Sequence, residues 1–80
     1  MKLVSVYDSK AQAHLNVSVT RTSAEAIRQF ESACKNKESS FNQYPQDFIL
    51  KEIGVWDEIT GLLSPLDAPI ILATASEFVQ

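Results

Sequence analysis

The sequence has little of what most protein chemistry needs. Its one cysteine, Cys34, excludes an intramolecular disulfide. With a single histidine, His14, it also lacks the set of thiolates and imidazoles that holds a structural zinc. Two glycines, Gly54 and Gly61, leave no Gly-rich loop to cradle phosphates. No apolar run reaches the ~20 residues of a membrane-spanning helix. Met1-Lys2 leads into a short strand pattern without an apolar core of signal-peptide length, so the expectation is a soluble chain in a reducing cytoplasm. Cations are scarce in one half. Residues 41–80 hold Lys51 alone against six acidic side chains, whereas residues 1–40 hold six basic and four acidic ones. The net charge of −3 therefore divides into +2 and −5. Strong sequence-independent binding to nucleic acid depends on cations neutralising phosphates, so an acidic chain is a poor match for it. Any basic patch belongs to the first half.

What remains is one domain of 80 residues. A chain of this size buries only ~60–65% of the surface that its unfolded form exposes, which makes a lone core marginal. Neither a disulfide nor a metal is on hand to add stability, and association is the route left. A homo-oligomer, a dimer or larger, is the expectation.

The large apolar side chains concentrate between Tyr44 and Leu66. Phe48 to Trp56 is rich in β-branched and aromatic residues, and Leu62 to Leu66 is a shorter apolar run. Asp57 opens the five-residue link between them and can accept from a backbone N–H two residues on; Gly61 closes it and can take φ > 0. This predicts a β-hairpin. Within its first strand Phe48 and Leu50 share one face, and Ile49, Ile53 and Val55 the other. Both faces are apolar, so the strand is covered twice or carries a bulge, for which Gly54 is the easiest place. A second covered face in so short a chain points to a partner subunit.

Met1 to Asp8 reads as another strand, with Val4 and Val6 opposite Leu3 and Tyr7, followed by an Asp8-Ser9-Lys10 turn. Leu15, Val17 and Val19 then alternate with Asn16, Ser18 and Thr20, predicting a strand whose apolar side is buried and whose polar side is wet. Thr22-Ser23-Ala24-Glu25 is a capping-box pattern that starts a helix over about Ser23 to Lys35. Ala26, Ile27, Phe30, Ala33 and Cys34 form the stripe that would lie on the sheet, and Glu31 and Lys35 are spaced i, i+4 on the outer side. Asn36 to Gln43 is a polar loop. Pro65 and Pro69 cannot donate to a central ladder, so the chain is expected to leave the sheet there. Residues 67–80 then form an apolar C-terminal arm packed on its own domain, residues 1–66, or on a neighbouring subunit. The predicted fold class is α+β: a small, mostly antiparallel sheet in the order β-β-α-β-β with one helix on a face.

Nucleophilic catalysis needs a nucleophile within reach of a base. Cys34 and His14 are the only natural pair, yet Cys34 belongs to the inward helix stripe and His14 precedes a strand. Asp57 and Glu58, like Asp47 and Glu52, have ordinary structural or surface explanations. No catalytic residue, metal or cofactor is expected. Binding of single strands by stacking needs cations interleaved with aromatics. The candidates for a nucleic-acid surface are Lys2, Lys10, Arg21, Arg28, Lys35 and Lys37 with Tyr7 and Tyr44. Candidates for an oligomer interface are Ile49, Ile53, Val55 and Trp56 in the hairpin with Ile70, Ile71, Leu72 and Phe78 in the arm.

Several segments share a pattern in order and spacing: Met1-Lys2-Leu3, Tyr7-Asp8-Ser9-Lys10-Ala11, Ala26-Ile27-Arg28-Gln29-Phe30, Tyr44-Pro45-Gln46-Asp47-Phe48, Ile53-Gly54-Val55-Trp56-Asp57 and Thr60-Gly61. Together with the closing Ala73-Thr74-Ala75-Ser76-Glu77-Phe78, they make the chain resemble the small nonstructural protein of microviruses, the gokushovirus-type single-stranded-DNA bacteriophages. It departs from them at Asn16-Val17-Ser18, where relatives often carry a proline-rich aromatic stretch. The resemblance implies an accessory role in synthesis of the phage genome in the host cytoplasm, with single-stranded DNA or replication proteins as partners. It implies no catalytic residues. Against it stands the reading of a protein-interaction adaptor that never touches DNA, which the acidic balance of the chain favours.

Overall fold

The computed structural model describes residues 1–79 and builds one antiparallel sheet with a helix across one face. The strands are β1 (Lys2–Asp8), β2 (Ala13–Thr20), β3 (Phe48–Trp56) and β4 (Leu63–Thr74), in the spatial order β2-β1-β3-β4. The helix α1 runs Ser23–Lys35, and a single further turn, α2, covers Ser40–Gln43. The expected α+β arrangement is what forms.

Helix α1 starts as its sequence dictates: the Thr22 hydroxyl accepts from the Glu25 N–H at 3.1 Å. Ala26, Phe30 and Cys34, one turn apart each, are buried against the sheet. Glu31 and Lys35 meet at 2.7 Å on the outer side. Burial pushes the Cys34 thiol up to about 11, with the Glu31 carboxylate adding to the shift, so this cysteine is a core side chain and stays protonated. On the sheet, Val4, Phe48, Leu50 and Ala73 complete the core beneath α1. Phe30 lies 5.4 Å from Phe41 and 6.3 Å from Phe78 between ring centroids, and Phe41 lies 4.8 Å from Phe48.

The hairpin of β3 and β4 is held as its residues require. The Ile59 N–H donates to the Asp57 carboxylate at 2.9 Å, and Gly61 has φ 77. The Ile59 and Thr60 N–H groups hold the exposed Asp57 carboxyl below its ordinary range. Ile49, Lys51 and Ile53 point away from α1, whereas Phe48, Leu50, Glu52 and Gly54 are buried. The register slips between Leu3 opposite Gly54 and Val4 opposite Glu52, which is a bulge beside Gly54.

Two expectations about the strands fail. Pro65 and Pro69 do not end the sheet, because β4 is an edge strand and continues through both to Thr74. An edge residue needs no donor on its outer side, and the irregular register between Pro65 and Ile70 absorbs the rest. Residues 67–74 are therefore strand, and Ala75–Glu77 is a 3-10 turn closed by Thr74 and Glu77. Leu72, the extra residue of a second β4 bulge, and Phe78 with Val79 pack against the chain's own core.

The second failure concerns β2. Val4 pairs with Ser18 and Lys2 with Thr20, so the polar row of β2 turns toward the helix and Thr20 is buried. Val17 and Val19 lie on the opposite face, 57% and 42% exposed. Pairing with β1 fixes this register, and alternation alone does not say which side of the sheet the helix takes. The predicted loop Asn36–Gln43 also differs in part, since Ser39 accepts from the Asn42 N–H and starts α2.

Candidate nucleic-acid interface

One buried charge governs one end of the sheet. Glu52 sits in the row of β3 that faces α1 and is 4% exposed. The Ser23 hydroxyl, in the first turn of α1, donates to one carboxylate oxygen at 2.7 Å, and the Lys2 ammonium lies 3.3 Å from the other. The sequence expectation of an ordinary surface charge at Glu52 is therefore overturned, because Ser23 and Lys2 hold the carboxylate in the interior. Lys2, counted among the cations for a nucleic-acid surface, is committed to this pair on the helix side. Lys2→Met should destabilise the fold by about 1–2 kcal/mol, read as a lower urea midpoint, because a buried acceptor loses its partner. The low end applies because the Lys2 side chain is 39% exposed and water can partly replace it. An unchanged midpoint would show that Ser23 alone suffices.

The remaining cations are spread over the molecule. Arg21 is exposed in the link from β2 to α1, while Arg28 and Lys35 border a shallow groove on the outer side of α1 with Glu31. Lys37 lies past the end of α1, near Phe78 and Val79. They form no single stripe. Lys10 and Tyr44 come together with Asp47 around a groove of about 310 Å³. The Ser9 N–H donates to the Asp47 carbonyl at 2.8 Å and ties the two loops there. This is the end of the sheet where β1 finishes and β2 and β3 begin, since Asp8 pairs with both Ala13 and Phe48.

At the same end, the face away from α1 gathers three side chains. Tyr7 of β1 lies opposite His14 of β2, their rings 4.9 Å apart. The Lys51 ammonium sits 4.4 Å from the centre of the Tyr7 ring, within reach of a cation–π contact. Neither charge balance nor loop position points to Lys51 and His14. The sequence signal is parity: Lys51 shares the open side of β3 with Ile49 and Ile53. His14 and Cys34, the one nucleophile–base pair in the sequence, are on opposite sides of the sheet. Among the described residues no cluster of three His, Cys, Asp or Glu side chains could hold a metal ion. A second groove of about 310 Å³ runs between α1 and β2, lined by Val4, Leu15, Ser18, Ala26 and Gln29, and has no ionisable lining.

A family model described as phage ORF5 protein matches residues 1–78. The chain belongs to that family. Comparison with curated proteins and with solved structures found no match. In this member of the phage ORF5 family, the open face of the sheet is the surface where a tyrosine, an imidazole and a cation converge. The interface candidates divide around it. Ile49 and Ile53 are half-buried on that face, and Val55, Ile70 and Ile71 are exposed. Trp56 is half-buried beside the first residues of β1, its N–H donating to the Met1 carbonyl at 2.9 Å.

Proposed function

We propose that this phage ORF5 protein is an accessory factor of phage genome synthesis in the host cytoplasm, and that it binds single-stranded DNA without a catalytic step. Bases stack on Tyr7 and His14 as Lys51 leaves the Tyr7 ring to meet a phosphate, and the strand passes toward Lys10 and Tyr44 at the same end. The observation that carries this reading is the Tyr7–His14–Lys51 cluster on an uncovered sheet face. Membership of a phage family and the resemblance to microvirus nonstructural proteins support it. With a net charge of −3, binding is modest and falls with salt.

Fluorescence anisotropy with a labelled oligonucleotide tests it. Tyr7→Ala combined with Lys51→Ala should weaken binding about tenfold, the loss of roughly one stacked base, with far-UV circular dichroism unchanged. Binding that ignores both the substitutions and the salt concentration would rule the cluster out. A second reading, a protein-interaction adaptor, is favoured by the hairpin tip, where Ile59, Leu62 and Leu63 are 92%, 67% and 66% exposed. A protein captured from infected cells that stays bound after nuclease treatment and is lost on Ile59→Ser would favour it.

A further inference from the structure

The two edges of the sheet are built differently. β4 carries Pro65, Asp67 and Pro69, the residue types that keep an edge from accepting another strand. β2 carries none: Ala13–Thr20 has no proline and no Lys, Arg, Asp or Glu, and seven of its eight residues are exposed. The bulge between Val17 and His14, bridged by the Ser5 hydroxyl donating to the Leu15 carbonyl at 2.8 Å, confines regular backbone to Val17–Thr20 and its approach.

We propose that β2 pairs with β2 of a second copy, antiparallel about a twofold axis through Ser18, joining the two sheets into one of eight strands. The sequence around that point reads the same in both directions, Val17-Ser18-Val19. A twofold contact sets residue i against j and j against i, so this run meets its own copy with like residue types opposite one another. Centring on Ser18 sets Val17 against Val19 of the partner twice on the open face, a favourable pairing of β-branched side chains. It sets serine against serine on the other face. No like charges meet. The same contact packs one side of the exposed Val17 and Val19 against the partner's valines.

The surface of the single chain agrees. It exposes 5452 Å², against about 4,800 Å² for a compact monomer of this mass. Its radius of gyration is 12.7 Å, against ~11.6 Å for a compact chain of this length. The excess approaches one partner's share of an ordinary interface, about 800 Å². Pairing about an axis perpendicular to the sheet leaves both open faces on one side, with the two Tyr7–His14–Lys51 clusters flanking the seam. The inference does not depend on DNA being the ligand.

Light scattering on a sizing column tests it with three proteins. The natural sequence should have the mass of two copies. Val17→Lys with Val19→Lys places lysine opposite lysine twice and should give one copy with unchanged far-UV circular dichroism, since both positions are exposed. Val17→Glu with Val19→Lys places opposite charges in the same register and should restore two copies. A natural protein that elutes as one copy or as more than two would overturn the proposal. So would a double-lysine protein that stays paired, or a glutamate–lysine protein that fails to re-pair.

Discussion

Phe30→Ala should destabilise the protein by about 3–5 kcal/mol, the usual result of emptying a buried aromatic site. Phe30 is 4% exposed and is the side chain through which α1, the Phe41 turn and the C-terminal Phe78 meet. At the ordinary ~0.05–0.15 kcal/mol per residue, a chain of this length has about 4–12 kcal/mol in total. The loss therefore takes a large share of it, and the variant should show a strongly lowered urea midpoint or no folded baseline. A change below ~1 kcal/mol, the ordinary size of a point mutation, would mean that the aromatic cluster is not the centre of the core.

The second large effect is expected at Gly54. A Cβ added there would stand 2.7 Å from the Ser64 carbonyl oxygen, with Leu3 Cδ1 at 3.3 Å and the Cα of Pro65 at 3.4 Å. The nearest obstacle is backbone, so no rotamer change relieves it; β4 must move away from β3. Gly54→Ala should cost about 2–3 kcal/mol, the upper part of the range for overpacking. For a domain of this size that lowers the melting temperature by roughly 10–20 °C. An unchanged melting temperature would show that β4 yields freely at Pro65. Gly61 is the converse case. Nothing lies within 4 Å of a Cβ there, and only its φ of 77 calls for glycine.

Local rules made much of this fold legible. The Thr22 cap, the Ala26–Phe30–Cys34 stripe, the Asp57 turn and the bulge beside Gly54 all follow from short-range chemistry. What could not be read is set by neighbours distant in sequence. The prolines of β4 are compatible with a strand only because nothing pairs beyond it, and edge position is a property of the whole sheet. The direction in which Val17 and Val19 point depends on which face α1 covers. Glu52 looks like surface charge until Lys2 and Ser23, 50 and 29 residues away, are brought to it. Of the nucleic-acid residues proposed from composition, Tyr7, Lys10 and Tyr44 lie at one end of the sheet, Lys2 and Arg21 at the other, and Arg28, Lys35 and Lys37 on or just past α1. Charge counting does not point to Lys51 and His14, because it ignores strand parity.

The two central strands, β1 and β3, come from opposite halves of the chain. A hairpin of β1 and β2 can close early, yet its inner side waits until some forty intervening residues have been gathered in. Sheets joined in this way fold more slowly than those zipped from adjacent hairpins, because loop-closure entropy is lost before any distant contact compensates for it. Assembly of the middle of this sheet is thus the expected slow step of folding, during which the valine-rich outer strand stays exposed.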